Sequence, residues 1–142
     1  MKKIALLLLL MITSIFAVEN QKMTVYKSPY CGCCTNWIDI MKQKGFDVNV
    51  VMVDNVMDIN KKLGIKDEHS SCHTAVVNNY VVIGHVDYSA VQKMLTDKPA
   101  IKGLTVPGMP IGSPGMEQNN MKQHYNVLAI NNNDSVSVYE KH

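Results

Sequence analysis

The sequence predicts an α/β domain, a mixed sheet flanked by helices, and three observations support that fold class. Short alternating β-branched runs and amphipathic helical runs take turns along the chain. Glycines stand where two of the helical runs end. Asn78-Asn79, set between two apolar runs, reads as a hairpin turn, which brings an antiparallel pair into the sheet.

The elements follow in order. "KMTVYKS", Lys22 to Ser28, alternates apolar and polar residues and reads as a strand. "CTNWIDIMKQK", Cys34 to Lys44, places Trp37, Ile38, Ile40 and Met41 at helical spacing, with Gly45 after it. "DVNVVMVD", Asp47 to Asp54, is a second strand. "VMDINKKLG", Val56 to Gly64, is a short helix with Val56, Ile59 and Leu63 on one face. A polar loop, "IKDEHSSCH", leads to the hairpin of "TAVV" and "YVVIGHV". "SAVQKMLTDK", Ser89 to Lys98, is a third helix, stopped before Pro99. This β-α-β-α-β-β-α order, with Cys31-x-x-Cys34 at the first strand–helix junction, is the thioredoxin arrangement, expected over residues 18–100. Residues 101–142 form a Gly/Pro/Met-rich C-terminal extension that should pack on the cysteine site. Within it Gly103 to Met121 has no period and reads as loop. "YNVLAINN" and "SVSVYE" read as two late strands joined through Asn131 to Asp134.

The start of the chain places the protein outside the cytoplasm. Lys2-Lys3, an apolar run from Ile4 to Phe16 and a small residue at Ala17 form the three parts of a signal peptide, residues 1–17. The apolar run is short for a membrane span. An exported chain beginning near Val18 is therefore expected, free of the membrane once the signal is cleaved; nothing in the sequence suggests an obligate interface, so a monomer is expected. Removing Lys2 and Lys3 from the 14 basic residues leaves 12 against 12 acidic ones, so the mature chain is near neutral. Every basic residue is lysine. Bidentate phosphate and base-edge recognition lean on arginine, so nucleic acid is not expected as a partner. No general acid–base pair, phosphate loop or Ser-His-Asp arrangement is evident.

"SPYCGCCTNW", Ser28 to Trp37, crowds Cys31, Cys33 and Cys34 into four positions. An exported protein can keep disulfides. A structural disulfide gains most by closing a long loop, and only a bond to Cys72 would do so. A cysteine at a helix N-terminus has its thiolate favoured by the dipole and by free N–H groups. That suits dithiol redox at Cys31 and Cys34, where the third thiol is a hindrance because it can scramble the disulfide. Metal binding uses the third thiol better. Cys33 and Cys34 point about 100° apart on a helix, which favours several ions bridged by thiolates. Cu(I) fits this soft donor set, with zinc as the rival.

In a thioredoxin fold the loop before the third core strand abuts the C-x-x-C and normally carries a cis-proline. Here it reads "SSCHTAVV", so Cys72-His73 should stand there and face the other three cysteines. Cys72 and His73 are thus candidate ligands, although a histidine hydrogen-bonded to backbone is an equal reading for His73. Met41, Met52, Met57 and Met94 read as core. Met109 and Met116 lie among glycines and prolines and offer soft thioethers, one of which is expected as a ligand. Met121 and His124 are weaker candidates. His85 reads as a packing or hydrogen-bonding residue, and His69 and His142 as solvent-exposed.

Together "SPYCGCC", "SCHTAVVNNYVVIGHV" and "GLTVPGMPIGSPGM" resemble the CopG-type copper-resistance proteins of Gram-negative bacteria. The resemblance runs from about Met23 to Val127, and departs mainly in the Asn-rich "EQNNMKQHYN" after the methionine loop. It implies a thioredoxin-like domain with a C-terminal extension. It also implies a periplasmic copper site on Cys31, Cys33, Cys34 and Cys72, helped by Met109 and Met116, holding several copper ions and interconverting Cu(I) and Cu(II). Three functions stay open: a copper-binding redox protein, a copper chaperone or store serving an efflux system, and a thiol-disulfide oxidoreductase. A periplasmic redox partner belongs with the first.

Overall fold

The computed structural model describes residues 20–142; the expected signal peptide, residues 1–17, and the expected mature start at Val18 lie outside that range. The elements are β1 (Lys22–Lys27), α1 (Gly32–Gln43), β2 (Asp47–Met52), α2 (Val56–Lys62), a short 3-10 turn (Asp67–His69), β3 (His73–Val77), β4 (Tyr80–Ile83), α3 (Tyr88–Asp97), β5 (Ile101–Thr105), β6 (Asn126–Asn131) and β7 (Val136–Lys141). All seven strands form one mixed sheet in the order β2-β1-β3-β4-β5-β6-β7. β1 runs parallel to β2 and antiparallel to β3, as the thioredoxin arrangement requires.

The hairpin forms as expected. Asn78 and Asn79 both take positive φ, 46° and 67°, the backbone that a two-residue turn needs to match the strand twist. Its register pairs Val77 with Tyr80 and Thr74 with Ile83.

Alternation splits the core between the two faces of the sheet. Met23, Val25, Ala75, Val77 and Val82 point to one face, beneath Trp37, Ile38 and Met41 of α1 and Val91, Met94 and Leu95 of α3. Ile65, Val81, Ile83 and Ile130 form a smaller cluster on the other face. Trp37 is fully buried, and its indole N–H donates to the Val86 carbonyl at 2.9 Å. That bond satisfies the one polar atom of a large apolar side chain.

Several expectations need correction. The segment from Gly103, read as loop, begins inside a strand: β5 runs parallel to β4, and β6 pairs antiparallel with β5. Gly103 masked that strand. A Cβ there would collide with the Val81 carbonyl oxygen, so close backbone approach requires a residue that also reads as a strand breaker. Helix α1 starts at Gly32, with Cys31 as its N-cap, two residues before the expected start. On α2 the buried residue is Asn60, while Leu63 is exposed. Met52 is exposed too, because β2 is an edge strand. His69 is buried, its Nε2 3.2 Å from the Asp134 carbonyl oxygen. His142 stacks on Tyr125 and pairs with Glu140 at 2.9 Å. Among the described residues no helix is long and apolar enough to cross a membrane.

Candidate metal centre

Three backbone segments meet at the N-terminus of α1. The first is the turn out of β1. The Cys31 N–H donates to the Ser28 carbonyl at 3.2 Å, and the Cys31 sulfur accepts from the Cys34 N–H at 3.3 Å, so a cysteine sulfur caps the helix. Cys31 and Cys34 are joined by a disulfide across Cα atoms 5.3 Å apart; Cys33 and Cys72 are free. The Cys33 sulfur lies 3.6 Å from that of Cys31.

The second segment is the loop entering β3. It brings Cys72 beside the helix, with the Cys72 carbonyl oxygen 3.5 Å from the Cys34 sulfur. The sulfurs of Cys31, Cys33, Cys34 and Cys72 all lie within 4.8 Å of one another. Among the described residues there is no cis peptide bond, so this approach is made without the turn that a cis-proline supplies. The loop is held from beneath by a buried polar relay. Thr74 donates to Asn60 Oδ1 at 2.6 Å, and Asn60 Nδ2 donates to Ser70 Oγ at 2.8 Å. This relay explains why α2 turns an asparagine inward: the position is polar because its partners are polar.

The third segment is the loop after β5. Gly108 accepts from the Ser71 hydroxyl at 2.7 Å. Gly115 takes φ +86° and lies so close to α1 that a Cβ would sit 2.9 Å from the Trp37 nitrogen. Met109 sits at the rim, half exposed, with its sulfur 3.9 Å from that of Cys33. Met116 engages the loop through its backbone, its N–H donating to the Ser113 carbonyl at 2.8 Å and its carbonyl accepting from the Gly112 N–H at 3.0 Å.

Two histidines flank Cys72. His73 Nδ1 is 3.3 Å from the Cys72 sulfur, and His85 Nε2 is 3.1 Å from it. His85 Nδ1 lies 2.8 Å from the Pro114 carbonyl oxygen, which can only accept. Nδ1 therefore carries the proton, and the Nε2 lone pair of the neutral ring faces the thiol. His73 is fully buried against Trp37, with ring centroids 4.6 Å apart.

The surroundings set the charge states. Burial pushes the Cys72 thiol up to about 12, reinforced by the negative charge that Cys33 would carry. Burial pulls His73 down to about 3, aided by the positive charges of His85 and Lys27. Lys27 is itself buried and pairs in register with His73. Burial also lowers His85, against the opposing pull of the Pro114 carbonyl. Both imidazoles are thus neutral near pH 7 and have lone pairs to offer, whereas a metal must displace the proton of Cys72.

All four candidate cysteines, His73 and Met109 are therefore brought together; Met116 lies in the same loop as Met109. His85, read as a packing or hydrogen-bonding residue, does hydrogen-bond to Pro114; its place beside Cys72 was not read, although the hairpin register contains it. With Thr74 opposite Ile83, counting two residues outward sets Cys72 opposite His85.

Three comparisons bear on this site. A family profile described as "Protein of unknown function, DUF411" matches residues 69–116, the span from the Cys72 loop through the methionine loop. No curated protein matches the sequence. Two solved structures, "Copper resistance protein copG- Form 1" and "Form 2", are each 32% identical to the chain with a TM-score of 0.82, and each covers 87% of it. The matches span 98% and 99% of those chains. Identity at that level over nearly the whole of both partners means that the chain belongs to the CopG copper-resistance protein family.

Proposed function

We propose that the protein binds copper in the periplasm as part of copper resistance, holding Cu(I) on Cys31, Cys33, Cys34 and Cys72. The observation that carries this reading is the convergence of four sulfurs within 4.8 Å from two segments separated by 38 residues. Four sulfurs that close exceed what one tetrahedral ion with an open coordination position needs, and thiolates bridge soft ions readily. A thiolate-bridged site of several Cu(I) ions follows, with the Met109 thioether at its rim in preference to Met116.

The disulfide sets the condition for loading. Two electrons and two protons convert the Cys31–Cys34 bond to two thiols, and only then are four sulfur donors available. A periplasmic reductant of low potential is the implied partner. Interconversion of Cu(I) and Cu(II) at the site is supported by this pairing of a reducible bond with a copper-binding thiol set. Stopped-flow oxidation of copper-loaded protein should then give a reversible colour change; a colourless, inert complex would favour a chaperone that passes copper to an efflux system.

The primary test is metal analysis after anaerobic Cu(I) addition. The reduced protein should load more than one copper per chain, and the disulfide form fewer. Uptake of a single zinc with no copper retained would defeat the proposal. A second reading, a thiol-disulfide oxidoreductase, is favoured by the disulfide at the helix N-terminus. Reduction of insulin by the metal-free protein would support it.

A further inference from the structure

A second set of donors at this site does not depend on the state of the disulfide. Cys72 Sγ, His73 Nδ1 and His85 Nε2 lie within 4.8 Å of one another, and none belongs to the Cys31–Cys34 bond. His85 is held as metal-bound histidines are held. Its Nδ1–H donates to a backbone carbonyl, which fixes the tautomer and directs the other nitrogen inward.

The metal-free arrangement is also short of protons. If His73 carries its proton on Nε2, two nitrogen lone pairs face the single thiol proton of Cys72. If it carries the proton on Nδ1, the Nε2 lone pair is buried with no partner. Either tautomer leaves a buried polar atom unsatisfied, which is costly. A cation between the two rings and the sulfur satisfies both inward lone pairs at once, with the His73 proton then on the buried Nε2, which has no partner in either case.

We propose that, with the Cys31–Cys34 disulfide closed, Cys72, His85 and His73 hold a single divalent transition-metal ion. One thiolate and two imidazoles suit borderline ions, and in a copper protein that ion is Cu(II). The site goes beyond the four-sulfur reading and rests on it only for the identity of the metal. Binding releases the Cys72 proton to solvent, moves no electron and leaves the disulfide intact. His85 is the anchoring nitrogen, because its second nitrogen has a partner and that of His73 does not. Cys72 is common to both donor sets, so the state of the disulfide decides which set it serves.

Cobalt(II) tests this without the risk that Cu(II) oxidises the free Cys33 thiol. The disulfide form of the mature chain, titrated anaerobically with cobalt(II) chloride, should bind one equivalent and develop a thiolate-to-cobalt charge-transfer band. The His85→Ala variant should bind at least about tenfold more weakly, since even partners behind the ligands are worth that much, and Cys72→Ser should lose the band. His85 is buried, so the wild-type protein supplies a readout that needs no variant. Its cobalt complex should show a hyperfine-shifted, exchangeable N–H proton from the His85 ring. Absence of the band or of that proton in the wild type overturns the site, as does cobalt binding that survives Cys72→Ser unchanged. Each of these outcomes is independent of whether the reduced protein loads Cu(I), which tests the four-sulfur site separately.

Discussion

The two loops that meet the N-terminus of α1 are held in opposite ways. The loop entering β3 is fixed by buried side chains: Asn60 links Ser70 to Thr74, and Thr105 donates to the His69 carbonyl at 2.8 Å. The loop after β5 meets the site mainly through its backbone, with the buried Ser113 hydroxyl donating to the Pro110 carbonyl inside the loop. Its carbonyls at Gly108 and Pro114 face Ser71 and His85, and Gly115 lies flat against the helix. Buried side-chain networks position a group tightly because each member is costly to leave unpaired. Backbone contact to an outer loop tolerates small shifts. The contrast implies a rigid floor that places Cys72 and a more compliant cover that brings Met109 to the rim.

Substitutions can break that contrast, and the largest effect should come from the floor. Asn60→Ala strands Ser70 and Thr74 and opens a small void, at a cost of about 2–4 kcal/mol by denaturant titration. Its Cu(I) loading should also drop, because Cys72 loses its support. Next is Gly115→Ala, where a Cβ meets α1 at a positive φ; about 1–3 kcal/mol should be lost. Copper loading through the cysteines should persist there. An equal loss of copper in both variants would erase the distinction between floor and cover. Ser71→Ala removes one bond between the loops and should cost about 1 kcal/mol. Met109→Leu is volume-conserving at a half-exposed position and should change stability by less than about 0.5 kcal/mol. Competition against a Cu(I) chelator should nonetheless show weaker retention of copper.

How much of this was legible in the sequence follows the same division. The strand and helix order could be read because apolar periodicity and Gly45 and Gly64 mark it. The meeting of Cys72 with Cys31, Cys33 and Cys34 could be read because it follows from that topology. β5 could not, because Gly103 serves a close contact with β4 that only the folded sheet creates. Asn60 could not, because an inward polar residue on a helix makes sense only once Ser70 and Thr74 are seen beside it. His69 and His142 looked solvent-exposed for the same reason, since Asp134 beside His69 and Tyr125 and Asp87 beside His142 are remote in sequence. His85 is the instructive case. The Asn78-Asn79 turn, read correctly, already paired it with Cys72, and the register only had to be counted outward.

Whether residue 72 shares its metal with the cysteines of α1 is open to a direct spectroscopic answer. Copper K-edge X-ray absorption on the reduced, Cu(I)-loaded protein should show a sulfur-dominated first shell and a copper–copper contribution that weakens in Cys72→Ser. An identical spectrum in that variant would contradict the account, because it would mean that the fourth sulfur stands beside the site without belonging to it.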